Sequence, residues 1–277
     1  MNKFILMLTV ALLMFTPIQS LASEGKEKKQ APKTEQKAPE KKAEPVKIPN
    51  SAVNISKENT YPNPAQNLPT LQPSELTKEL IESSGIEIEN PDLIAKLNES
   101  NISPSKLAIG YRASIYLGKW PLSYESNETS VNWEYQQANQ NKADNRGGKA
   151  PVQMRYSQEQ EKKITGGLTA KVPESEAVKK MMMVEASEKT QLSLSFQTII
   201  GRGTKKSHVY NVAPKHYAVL TSYVPAVNEK GKVTYGEVYL NLRGSRKSLE
   251  VKNITQQGIG AWIPVQDYIT HQFNTMQ

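Results

Sequence analysis

The chain has 277 residues, with 35 Lys and Arg against 27 Asp and Glu for a net charge of +8, and no cysteine. Without cysteine there are no disulfides, thiol nucleophiles, thiolate zinc sites or lipid-carrying residue, so a protein of this length must hold itself together by its core. The basic balance suggests nucleic acid, but GRGTKK (201–206) and RGSRK (243–247) are not interleaved with aromatics and no recognition helix or RNA-binding signature accompanies them, so nucleic acid is not an expected partner.

At the N-terminus, Lys3 precedes the apolar run FILMLTVALLMF (4–15). As a helix this run spans only about 18 Å, short of the ~30 Å hydrocarbon core of a bilayer. Pro17 ends it, and Ser20-Leu21-Ala22 sets small residues where a signal peptidase reads them, so cleavage is expected between Ala22 and Ser23. The alternative is an uncleaved anchor. Residues 1–22 are thus read as a signal peptide, which makes the protein secreted or envelope-associated and not lipid-anchored.

Residues 23–49 form a Lys/Glu/Pro-rich tail in which eight lysines face five glutamates between Glu24 and Lys47, with no aromatic residue. Such a stretch cannot bury enough apolar surface to offset its ordering entropy, so a disordered, solvated spacer is expected. A cationic spacer outside the cell is suited to an anionic cell-wall polymer or a membrane surface, an attraction that salt weakens.

Residues 50–277 read as one α+β domain, mainly antiparallel sheet with a few short amphipathic helices. Proline-rich residues 50–72 suggest an extended arm. Ser74 caps a helix carrying Leu76, Leu80 and Ile81 and stopped by Gly85; Asn90-Pro91 opens a second with Leu93, Ile94 and Leu97. From Leu107 the period changes to two, through Leu117, again over Val131, Trp133 and Tyr135, and, after a turn-like DNRGG (144–148), over Val152, Met154 and Tyr156. Pro173 opens a helix to about Ser187 with Ala177, Val178, Met181 and Met182 inward, its methionine triplet filling core. Leu192, Leu194, Phe196 and Thr198 alternate again. Strands over 216–227 and 232–242 are expected to be joined by a hairpin turn at NEKGK (228–232), followed by alternation at Leu249 and Val251 and a C-terminal helix from about Pro264. In an up-and-down meander the basic clusters at Gly201 and Arg243 fall at opposite ends.

Six aromatics, Tyr111, Tyr116, Trp120, Tyr124, Trp133 and Tyr135, lie close together in sequence. They suit either a sugar-stacking platform or ordinary cross-strand packing, the latter being the default. Ser103-Pro104-Ser105-Lys106, Ser130-Val131-Asn132 and Lys189-Thr190 imitate the motifs of penicillin-interacting enzymes, but Gln191 replaces the closing glycine and Ser103 precedes a strand instead of opening a helix. Asp267 and His271, four apart on the expected last helix, make a surface contact more readily than a metal site. No catalytic, cofactor-binding or metal-ligating residue is assigned, and no cofactor is expected. Carboxylates paired from distant strands are unreadable in one sequence, so a cell-wall hydrolase stays open as an alternative to a non-catalytic binding protein.

The signal peptide, the Lys-Glu-Pro tail, the cysteine-free mixed domain and NISKENTYPNP (54–64) together resemble the YfkD-like family of exported proteins from Gram-positive, spore-forming bacteria. The resemblance implies an extracytoplasmic location and carries over no active site. Residues 190–242, with VAPKHYAVLTSYVP at their centre, resemble the elongated sheet of aerolysin-type pore formers. Such proteins need a segment with alternating faces that can enter a membrane barrel, as QLSLSFQT (191–198) alternates.

Overall fold

The computed structural model describes residues 46–64, 72–99, 110 and 112–277. The expected signal peptide, its expected cleavage site at Ala22-Ser23, the tail to residue 45, the Ser103-to-Lys106 pattern and Tyr111 lie outside them. Along the chain run β1 (Ala52–Asn54), α1 (Glu75–Ser84), α2 (Pro91–Glu99), β2 (Arg112–Asp144), β3 (Val152–Ser157), β4 (Lys162–Thr165), β5 (Gly167–Leu168), α3 (Ser175–Thr190), β6 (Gln197–Ile200), β7 (Lys205–Val212), β8 (Tyr217–Arg243), β9 (Arg246–Pro264) and β10 (Tyr268–Met276).

Three strand lines build the scaffold. β8 is central, pairing with β2 from Asp144↔Tyr217 to Arg112↔Arg243 on one side and with β10, then β9, on the other. At about 3.3 Å per residue the 27 residues of β8 reach roughly 90 Å. β1 adds to β10, and β5 to β9. The segment between β2 and β8 forms two small sheets, β3 with β7 and β4 with β6, together with α3.

Pro225 interrupts this ribbon at one level. Proline has no N–H to give to a ladder, so a central strand tolerates it only where pairing already fails. Here both neighbours yield: β2 jumps register between Asn132 and Gln136, and the β9–β10 line breaks between Pro264 and Tyr268. Thr270 Oγ1 donates to the Trp133 carbonyl across the gap, and Tyr135 stacks on Trp262 at 5.1 Å.

Apolar clusters occupy three stretches. At the β8 start, Ala218, Leu220 and Val224 meet Ile55, Tyr156, Ile164, Ile200 and Ile269. In the middle, Val227, Val233 and Tyr235 meet Met181, Met182 and Met183 of α3, so the methionine triplet does fill core. At the far end, Val238, Leu240 and Leu242 meet Leu80, Leu93 and Leu97. The last contact exists because Ser74 Oγ accepts from the Thr77 N–H, Gly85 takes φ 67, and Asn90 Oδ1 accepts from Asp92 and Leu93, capping both helices as expected. Leu76 is 69% exposed and lies outside that apolar stripe.

Those two helices also close the sheet edges. Ser83 Oγ accepts from the Leu249 N–H on β9, while the Leu122 carbonyl of β2 accepts from Glu89 and Asn90. Edges so covered do not template further strands. The arm lies along the opposite end, where Asn59 and Asn63 donate to the Ile199 carbonyl and Thr60 Oγ1 donates to that of Arg202.

Several expectations fail in instructive ways. NEKGK is no turn: Asn228 to Lys232 sit mid-strand, paired to both β2 and β9. Gly231 is there because a Cβ would come within 2.2 Å of the Glu125 carbonyl and 2.6 Å of the Tyr124 hydroxyl. The C-terminal helix is instead β10, held between β1 and β8, which removes the Asp267–His271 helical pair. Leu192 and Leu194 are buried as their alternation implies, yet the segment before β6 has a single bridge, Leu194↔Val265. DNRGG leads to β3, which pairs with β7.

Candidate functional site

Beyond Gly236 the two faces of the ribbon part company. Opposite Gly236 the β9 line carries Asn253 and Ile254, a bulge that shifts the alternation, with Asn253 in the left-handed region at φ 51. From there Val238, Leu240 and Leu242 face the helices. Glu237, Tyr239, Asn241 and Arg243 face the other way.

On that outer face the register aligns Tyr116, Tyr239 and Glu250 in one row and Ser114, Asn241 and Ser248 in the next. The Tyr116 and Tyr239 rings lie 5.1 Å apart at 42°, and Tyr116 is 55% exposed. Around them the polar groups are fixed. Tyr239 Oη and Asn253 Nδ2 both donate to Glu237 Oε2, at 3.0 and 2.9 Å, and Asn241 Nδ2 donates to Glu250 Oε2 at 2.8 Å. Lys252 Nζ stands 3.3 Å from Glu250 Oε1 and 4.9 Å from the Tyr239 ring centre.

This network sets the charge states. The hydrogen bond to Glu237 raises the Tyr239 phenol above its ordinary value, and the Asn241 amide, then Lys252, hold the Glu250 carboxyl below its own. An open face with two ring surfaces, fixed amides and carboxylates can stack on a sugar ring and hydrogen-bond its hydroxyls.

Of the six aromatics singled out in the sequence, only Tyr116 joins this face among the described residues. Trp120 packs by α2, with Lys96 Nζ 5.1 Å from its ring and its own Nε1 donating to the Leu117 carbonyl. Tyr124 turns inward to Glu229, Trp133 packs on the middle cluster, and Tyr135 stacks on Trp262. Sequence reasoning missed Tyr239, Glu237, Asn241 and Glu250 as a group, although the alternation of the two strands that carry them was readable.

The other candidates do not assemble. Ser130 and Asn132 are exposed on β2, whereas Lys189 pairs with Glu185 and Thr190 Oγ1 donates to the Ala186 carbonyl on α3. His216 Nδ1 lies against the Pro214 carbonyl, His208 packs edge-on to Tyr210, and His271 is buried beside Ser222. Among the described residues no three His, Asp or Glu are grouped to hold a metal ion, and no helix is long and apolar enough to cross a membrane.

Residues 49–277 match the family model described as YfkD-like protein. An uncharacterized protein YfkD of Bacillus subtilis (strain 168) is 63% identical over 227 residues, covering 82% of this chain and 86% of the relative. Among solved structures, the crystal structure of a lamprey immune protein aligns over 60% of this chain and 54% of its own, at 5% identity and a TM-score of 0.25, a likeness too slight to bear on fold or function.

Proposed function

The chain belongs to the YfkD-like family, and on that premise we propose that it is an exported, non-catalytic binding protein of the cell envelope. It holds a sugar-containing ligand on the outer face of the far sheet end, beyond a cationic spacer. The observation that carries this reading is the pairing of exposed Tyr116 with half-buried Tyr239, flanked by polar groups already locked by one another. A surface fixed before the ligand arrives loses little freedom on binding.

The test is calorimetric titration of the purified chain with soluble wall-glycan fragments. Tyr239→Ala is expected to weaken binding about tenfold or more, as removal of a central aromatic anchor does, with an unchanged circular dichroism spectrum. Glycan turnover that one side-chain replacement abolishes would overturn the non-catalytic reading. For export, intact mass of protein from the producing organism is expected to begin at Ser23. For the spacer, deleting residues 23–49 is expected to lower retention on isolated walls at low salt.

A membrane-active β-protein is the second reading, favoured by one observation. Leu192, Leu194 and Phe196 pack on the core from an extended segment with a single bridge, so an alternating stretch is joined to its neighbours by few backbone hydrogen bonds, those of Ser193, Ser195 and Phe196. Dye release from liposomes with detergent-resistant oligomers would support it, and a non-leaking monomer would dispose of it.

A further inference from the structure

The β8–β9 hairpin ends in a two-residue turn, Gly244-Ser245, with Gly244 at φ 57 where so tight a connection needs left-handed backbone. Its closing pair is Arg243↔Arg246, and on the other side of β8 the register sets Arg112 opposite Arg243. Three arginines therefore stand in one row across three neighbouring strands, on the same face as the tyrosine pair. All three are exposed, and among the described residues none makes an ion pair. Glu250, inward on the same face, is engaged by Asn241 and Lys252, and the charge of Arg243 also helps hold its carboxyl down without forming an ion pair.

Like charges directly opposite one another in a sheet destabilise it. A row of three, each joined to the next by hairpin or ladder, is an arrangement that an anion relieves. The row spans two inter-strand spacings, about 10 Å, which is wider than one phosphate. Resting on the reading of this face as a ligand surface, we infer that the arginine row binds successive phosphodiester groups of a linear polyanion, whose polyol or sugar linkers continue over Ser114, Asn241 and the tyrosine pair.

The probes are a water-soluble poly(glycerol phosphate), inorganic phosphate, phosphatidylglycerol vesicles and a neutral wall oligosaccharide, titrated into the full mature chain. Arg243→Gln is expected to weaken the polymer about fivefold, in the range of an exposed ion pair. The triple change Arg112→Gln, Arg243→Gln, Arg246→Gln is expected to lower the slope of log K against log salt by roughly one per arginine, since fewer counterions are released. Thermal stability is expected to stay level or rise. A charge-matched control, Lys142→Gln, Lys162→Gln, Lys163→Gln at the other end, is expected to leave polymer binding unchanged.

The inference falls if the triple variant binds the polymer as tightly as the parent, or if the lysine control loses as much. It falls equally if inorganic phosphate matches the polymer, or if the vesicles bind with the same arginine dependence. Should Tyr239→Ala weaken the neutral oligosaccharide while the arginine variant leaves the polymer untouched, the ligand face stands and the anion row does not. No response to either variant removes both.

Discussion

Tyr124 Oη donates to Glu229 Oε1 at 2.9 Å between neighbouring strands, and Thr129 Oγ1 donates to the other carboxylate oxygen at 2.6 Å. Glu229 is fully buried, so these two hydroxyls replace the water it would otherwise hold. Burial, and then the adjacent Glu229, push the Tyr124 phenol well above its ordinary range.

Tyr124→Phe strands Oε1 without a donor. It is expected to destabilise the fold by about 1–3 kcal/mol in urea unfolding, the usual cost of leaving a buried polar atom unpaired. A smaller loss than the same change at exposed Tyr116 would show that the contact is not formed in solution.

Gly231 makes that contact geometrically possible, since a methyl group there meets the Tyr124 ring at 2.7 Å and the Glu125 carbonyl at 2.2 Å. Gly231→Ala is expected to cost about 1–3 kcal/mol, the range for overpacking. A neutral result would mean that NEKGK bends away from β2 after all.

His271 is a buried pH-sensitive element. Its Nδ1 faces Ser222 Oγ at 2.8 Å, its Nε2 is buried without a partner, and Tyr156 and Tyr210 pack around it. Burial, and then His208, lower its pKa to about 4 from 6.5. The unfolded chain therefore binds the extra proton first. This contribution to stability is complete above about pH 6.5 and is lost as pH falls through 4, amounting to about 3 kcal/mol. His271→Gln is expected to flatten that limb of the stability profile in urea titrations from pH 7 to 3.5; an unaltered limb places the dependence elsewhere.

Met182 is fully buried against the middle of the ribbon. Met182→Ala is expected to cost about 2–5 kcal/mol, as for other buried large-to-small changes. Equal loss of stability and of glycan binding at all temperatures would argue against a ligand face remote from α3.

These particulars show where sequence reading succeeds. Ser74, Gly85 and Asn90-Pro91 are local signals, because a cap is made by atoms within a few residues: α1 starts and stops, and α2 starts, where those residues say. Met182 and the alternation at Leu249 were likewise legible from spacing alone. Gly231 was not, since turn chemistry and close approach by Tyr124 both call for glycine, and only the partner strand distinguishes them. Residues 268–276 carry no decisive period, because β1 and β8 flank them and Ile269, Thr270 and His271 are all buried in succession. The arginine row was invisible for the same reason: Arg112 meets Arg243 only through the register of the longest strand pair.

The break at Pro225 divides the long ladder into two lengths that cannot slide together. A one-residue slip of β8 would bring the proline opposite a carbonyl that needs a donor and would move Glu229 to the solvent side, so each length is indexed by its own error signal. A strand pair this long has many near-equivalent alignments, and an imide placed where both neighbours already part acts as the zero mark from which all the others are counted.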